Sequence, residues 1–190
     1  MQTKIKFAAA LSSLTLALMA GFAQAADFSL NVSTSQVADD PMYKGMLEFK
    51  KNVEARTKGR IAVKTFPAGQ LGSDEDVIEQ IRAGSGVALI TDGARMEPYV
   101  KEFGILTAPY VVDSFASMRK FVVSPMFNDW SKKLHDKAGF QVFSFNWYQG
   151  ERNYVTNKPV SKPADLAGIR VRTPGAPMWI EVARAMGATP

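Results

Sequence analysis

The chain has 190 residues, 46% of them hydrophobic and 22% charged, with a formal net charge of +5 and no cysteine. Hydrophobic content of this order belongs to a folded globular chain, and the missing thiols exclude disulfides and a lipid-modified cysteine. The basic balance does not point to nucleic acid, because no basic run exceeds two residues and acids are interspersed throughout.

The first 25 residues, MQTKIKFAAALSSLTLALMAGFAQA, join basic Lys4 and Lys6 to an apolar run from Phe7 to Phe22 and an Ala23-Gln24-Ala25 cleavage pattern. They read as a secretory signal peptide over residues 1–25. An uncleaved anchor fits less well, since Ser12, Ser13 and Thr15 interrupt the run. Cleavage removes two lysines and no acid, which brings the net charge to +3.

After the leader, Phe28 to Ser33 alternates as a strand, and Asp39-Asp40-Pro41 starts a helix over Met42 to Lys58. Its apolar face carries Met42, Met46, Phe49 and Val53, and Gly59 closes it in the left-handed conformation. Arg60 to Phe66 is a second strand, and Pro67 to Gly72 turns the chain. Ser73 and Asp76 form a capping box for a second helix, which accounts for the acids Asp74, Glu75 and Asp76 by capping. Val87 to Ile90 is a continuous apolar run, as in a buried parallel strand.

Strand, helix, strand, helix, strand is the α/β order of an open, mainly parallel sheet. Ligands of such sheets sit beyond the carboxyl ends of the strands. That rule selects Ser35 after the first strand, and Thr91, Asp92 and Arg95 after the third.

Farther on, Glu97 to Pro109 reads as a helical turn and an apolar connection. Ser114 to Val123 and Pro125 to Ala138 read as helices, and Gly139 to Trp147 as a strand. A boundary is expected near Tyr148 to Gly150, dividing residues 26–149 from a second lobe that begins at 150. Arg152 precedes a short β-like segment. Pro163 begins a short helix, and Ile169-Arg170-Val171-Arg172 alternates, placing Ile169 and Val171 on one face and both arginines on the other. Ala176 to Met186 is a helix. An arginine at a strand end beside a helix start is well placed to hold an anion, because its planar fork matches a carboxylate bidentately. The competing role, a solvated surface arginine, is the common one.

No catalytic set emerges. The one histidine, His135, lies in a Lys-rich amphipathic helix, and one histidine without cysteine makes no zinc site of usual composition. No G-x-S-x-G, P-loop or G-x-G-x-x-G occurs. The expectation is a binding protein without cofactor or metal, rather than an enzyme.

Three stretches together resemble the substrate-binding proteins of tripartite ATP-independent periplasmic (TRAP) transporters, the DctP-type family. They are Gly59-Arg60-Ile61 with Phe66-Pro67-Ala68-Gly69-Gln70-Leu71-Gly72, the run from Arg152 to Val160, and Pro163 through Arg172. The resemblance implies two α/β lobes closing on an organic acid, a periplasmic location after export, and delivery to membrane permease subunits. It implies that Arg172 grips the substrate carboxylate, with Arg170 as the outward alternative, and that Arg152 lines the cleft. Asp92, Arg95 and Ser35 match further family positions, while Trp147 and Trp179 are either cleft walls or core. Arg152 and Arg95 would suit a second acidic group, which favours a C4-dicarboxylate-type ligand. Val87 departs from the acid of many relatives. The family's members also run well beyond this length, so a fragment that stops within the second lobe is expected. Two other readings share the leader and the fold: an exported enzyme acting on an organic acid, and a module that presents its ligand to a receptor.

Overall fold

The computed structural model describes residues 26–190; the leader expected over 1–25 lies outside the described residues. Strand β1 (Phe28–Thr34) lies between β2 (Ile61–Phe66) and β3 (Val87–Ile90), all parallel, in the order β2-β1-β3. The register sets Leu30 beside Val63 and Asn31 beside Val87. Helix α1 (Pro41–Arg56) makes the first crossover and α2 (Asp74–Arg82) the second. The expected α/β sheet is therefore the observed one.

The local chemistry explains the crossovers. Asp40 caps α1 by accepting from Met42 N at 2.7 Å, with Pro41 in the first turn, where no N–H is needed. At the far end Gly59, at φ 77°, donates to Glu54 O. The Glu54 carboxylate accepts from Val63 N at 3.0 Å and Lys50 Nζ at 2.9 Å, which ties the helix to β2. Met46, fully buried, packs with Val32 and Val63, joined by half-buried Phe49 and Val53.

A second, aromatic core gathers Ile78, Val100, Phe103, Phe127, Leu134 and Phe140. Two 3-10 turns (Gly93–Met96 and Lys101–Thr107) lead to it, followed by α3 (Phe115–Val122) and α4 (Pro125–Ala138). Phe103 meets Phe127 edge-on at 5.9 Å between centroids. A third cluster, Leu166, Ala183 and Ala188, draws in Val160, Ile169, Val171 and Met186. It uses only residues beyond 150, and helix α5 (Pro177–Ala185) covers it.

Three expected strands fail to form as such. Residues 139–147 turn Phe140, Val142, Phe145 and Trp147 inward, with the alternation broken at exposed Phe143 and Ser144, and they carry no ladder. A strand exists only through its neighbour. Both sides of β1 are occupied by β2 and β3, and among the described residues no other strand borders the sheet. The segment after Arg152 is likewise unpaired and largely exposed. Residues 169–172 make a single parallel bridge, Arg170 with Thr189. Val171 N donates to Thr189 O at 2.8 Å, and Thr189 N to Ile169 O at 2.9 Å. The facing was read correctly there: Ile169 and Val171 turn in, Arg170 and Arg172 out.

Trp147 belongs to the Met46 cluster, its ring 2.6 Å from where a Cβ on Gly45 would lie. Gly45→Leu should expel the indole and cost about 1–3 kcal/mol by overpacking. Urea unfolding monitored by tryptophan emission checks this; an unchanged midpoint and spectrum would show that Trp147 does not pack there.

Candidate functional site

The carboxyl ends of β1 and β3 open onto a charged wall. Asp92 heads the 3-10 turn 93–96, and Arg95 on that turn reaches back to the first turn of α2. Its guanidinium meets Glu75 at 3.0 Å and Asp74 at 3.5 Å, and also pairs with Asp92. The Thr91 hydroxyl donates to Asp74 Oδ2 at 3.2 Å. Arg95 is only 14% exposed and Asp74 7%. Burial pushes the Asp74 carboxyl above its ordinary value, against the lowering effect of Arg95 and of the Thr91 hydroxyl. Asp92 Oδ1 is buried with no donor in reach among the described residues.

Two expectations change here. Capping accounts for Asp76 alone, which accepts from Ser73 N at 2.9 Å while Ser73 Oγ accepts from Asp76 N at 3.1 Å. Asp74 and Glu75 instead face Arg95, since only the third residue after Ser73 is placed to close a capping box. Arg95, expected to suit a ligand's second acid, is already held by three carboxylates of the protein. One guanidinium against three carboxylates leaves this wall net negative.

The other expected residues fall elsewhere. Ser35 is exposed in the loop after β1. The Pro67–Gly72 turn docks beside it, with Gly69 N donating to Thr34 O at 3.1 Å and Ala68 N to Gln36 O at 2.8 Å. Arg172 is exposed, and neither it nor Arg170 pairs with a carboxylate among the described residues. The turn that follows Arg172 approaches the negative wall: a Cβ on Gly175 would lie 3.9 Å from Glu75 Oε1. Arg152 is exposed, donates to Gln149 Oε1 at 3.0 Å and lies over the ring of Trp179, 5.3 Å from its centroid. Trp179 is half-buried, and its Nε1 is buried without an acceptor among the described residues. Trp147 is taken by the core.

Sequence reasoning passed over Glu97. Its Oε2 accepts from Met178 N at 3.0 Å, across 81 positions of sequence. One signal was available: α5 starts Ala176-Pro177, with no residue able to cap it.

A parallel α/β sheet with a charged wall beyond its strand ends is an arrangement compatible with binding a solute there. The chain belongs to the DctP family, described as bacterial extracellular solute-binding protein, family 7, whose model matches residues 32–190. It resembles the crystal structure of a TRAP periplasmic solute-binding protein from Escherichia fergusonii, in an apo open form. The two share 49% identity over 86% of this chain and 54% of that one, with a TM-score of 0.71. A second such structure, from Ochrobacterium anthropi with bound L-fuconate, is 33% identical over 87% of this chain and 55% of that one, with a TM-score of 0.82. A curated solute-binding protein of Roseobacter denitrificans is 29% identical over 99% of this chain and 57% of its own length. The chain thus spans little more than half the length of these relatives. The family is one of binding proteins rather than enzymes, and its fold is that of TRAP periplasmic solute-binding proteins. Among the described residues no helix is long and apolar enough to cross a membrane.

Proposed function

We propose that the exported protein is the solute-binding subunit of a TRAP transporter. In this reading it takes up a small organic acid through Arg172 and hands it to membrane permease subunits. Residues 150–190 begin the second lobe, a division supported by the separate Leu166–Ala183–Ala188 cluster. The observation that carries the reading is the contrast between two arginines. Arg95 is neutralised by the protein's own carboxylates, whereas Arg172 has no carboxylate partner among the described residues and stands beside the turn that approaches them.

The same contrast decides between ligand types. The residues suggested a C4-dicarboxylate because Arg152 and Arg95 looked suited to a second acid; Arg152 donates to Gln149 and lies over the Trp179 ring. With Arg95 engaged, that end of the site presents the partly exposed carboxylates of Glu75 and Asp92. A ligand hydroxyl can donate to them; a second carboxylate cannot, and would meet like charge. The reading is therefore a monocarboxylate bearing hydroxyls. In support, the Ochrobacterium anthropi relative holds L-fuconate, and other relatives are named as binding sialic acid and 2,3-diketo-L-gulonate.

Calorimetric titration of the full gene product with L-fuconate, L-galactonate, succinate and malate tests this. A hydrogen bond to a charged group contributes about 1.5–3 kcal/mol, so a sugar acid should bind about tenfold or more tighter than a diacid. Equal or tighter binding of succinate would overturn the hydroxyl reading while leaving the carboxylate one. Binding of no acid at all would overturn both.

A further inference from the structure

Helix α5 starts without a cap of its own. Ala176, the residue in the capping position, is buried and carries no oxygen, and Pro177 has no N–H, so Met178 N is the first amide that needs an acceptor. Glu97, which follows directly on the turn bearing Arg95 and Asp92, supplies it at 3.0 Å. The carboxylate has little freedom to sit elsewhere. A Cβ on Gly104 would lie 2.7 Å from both its Cδ and its Oε2, so the packing of that side chain depends on the bare glycine. Gly104 shows no left-handed φ, so the backbone itself would accept alanine there.

We infer that Glu97 is a positioning residue: it caps α5 from the other side of the site and thereby fixes the Thr173–Ala176 turn, and with it Arg172, against the acidic wall. A negative charge at a helix N-terminus is also favoured by the helix dipole, so the contact is both a hydrogen bond and a charge interaction. The geometry runs through one short chain of contacts. Arg95 and Glu97 share one turn and its continuation. Glu97 holds Met178, and five residues separate Met178 from Arg172. Loss of the cap frees the arm while leaving the aromatic core and the Arg95 network in place. The link to affinity rests on the reading of Arg172 as the carboxylate holder; the cap itself does not.

Hydrogen exchange and titration on the full gene product separate the two. In Glu97→Leu, the amides of Met178 and Ile180, which donate to Glu97 and to Ala176 O, should exchange about tenfold or more faster while Phe103 and Leu134 keep their protection. Glu97→Gln, which retains an acceptor oxygen, should restore most of the protection. Gly104→Ala should loosen the same amides by displacing the carboxylate, and should add nothing in the Glu97→Leu background. With L-fuconate or L-galactonate as probe, affinity should drop in Glu97→Leu and recover in Glu97→Gln. Unchanged exchange at Met178 in both Glu97→Leu and Gly104→Ala would overturn the inference, as would full additivity of the two. If neither probe binds the wild-type protein, the hydroxy-acid reading falls, and the exchange data still decide the role of Glu97.

Discussion

Arg172→Ala should weaken binding of the cognate acid by about two to three powers of ten, with little change in thermal stability. On the proposed reading, a carboxylate held by Arg172 is shut away from water in the closed complex, and removing one member of such a pair leaves the other buried and uncompensated. Stability should hold because in the unliganded chain this side chain is exposed and makes no ion pair among the described residues. Arg172→Lys should also bind poorly, since an ammonium keeps the charge and loses the two-pronged geometry. Calorimetry on the full gene product checks both substitutions. Unchanged affinity in Arg172→Ala would remove this residue from the carboxylate-holding role, and Arg170, on the same outward face, would be next to test.

Arg95→Ala should do the opposite, unfolding the protein at markedly lower denaturant. It leaves Asp74, Glu75 and Asp92 together with no counter-charge, and Asp74 is almost fully buried. Breaking a buried pair in this way costs about 3–5 kcal/mol. The loss should depend on pH, and the sign follows from Asp74. Its carboxyl is already raised by burial with Arg95 present. The fold therefore holds the Asp74 proton more tightly than the unfolded chain does, and this contribution to stability is present at low pH and declines as pH rises above the ordinary carboxylate range. Without Arg95 the carboxyl rises further. The deficit of the variant should be greatest at neutral pH and shrink on acidification, as the carboxylates take up protons. Urea titrations of both proteins between neutral and mildly acid pH measure it; a deficit independent of pH would show that the three carboxylates are not what Arg95 compensates.

The first half of the fold was readable because its signals are local. Asp40-Pro41, Ser73 with Asp76, Gly59 and Gly139 each mark a helix end through a hydrogen bond or a left-handed φ within a few residues. Val87–Ile90 is apolar throughout because it is a parallel strand under crossover helices. Residues 139–147 and 169–172 show the limit of that approach. Alternation reports which side chains turn inward, and it did so correctly at Ile169 and Val171, but a ladder also needs a partner, and alternation does not supply one. The site was legible to the same degree. Asp92 and Arg95 were found by their place after β3. That Arg95 would be consumed by Asp74 and Glu75, on the first turn of the preceding helix, depends on how α2 rolls against β3, which no spacing rule specifies. Glu97 was passed over for the same reason: its partner is a backbone amide, which leaves no trace in a sequence beyond the missing cap at Ala176.

The acid-rich side of the site, set close to a turn that follows an unpaired arginine, has a kinetic consequence on the proposed reading. An incoming monoanion meets a field that points one way across the gap, attractive on the arm and repulsive on the wall. Such a field acts over roughly a Debye length, about 8–10 Å in ordinary saline, and so turns the solute head-first while it is still diffusing. Added salt should then slow capture more than it hastens escape, and the polarity of the two surfaces, rather than their shape, selects which end of the molecule arrives first.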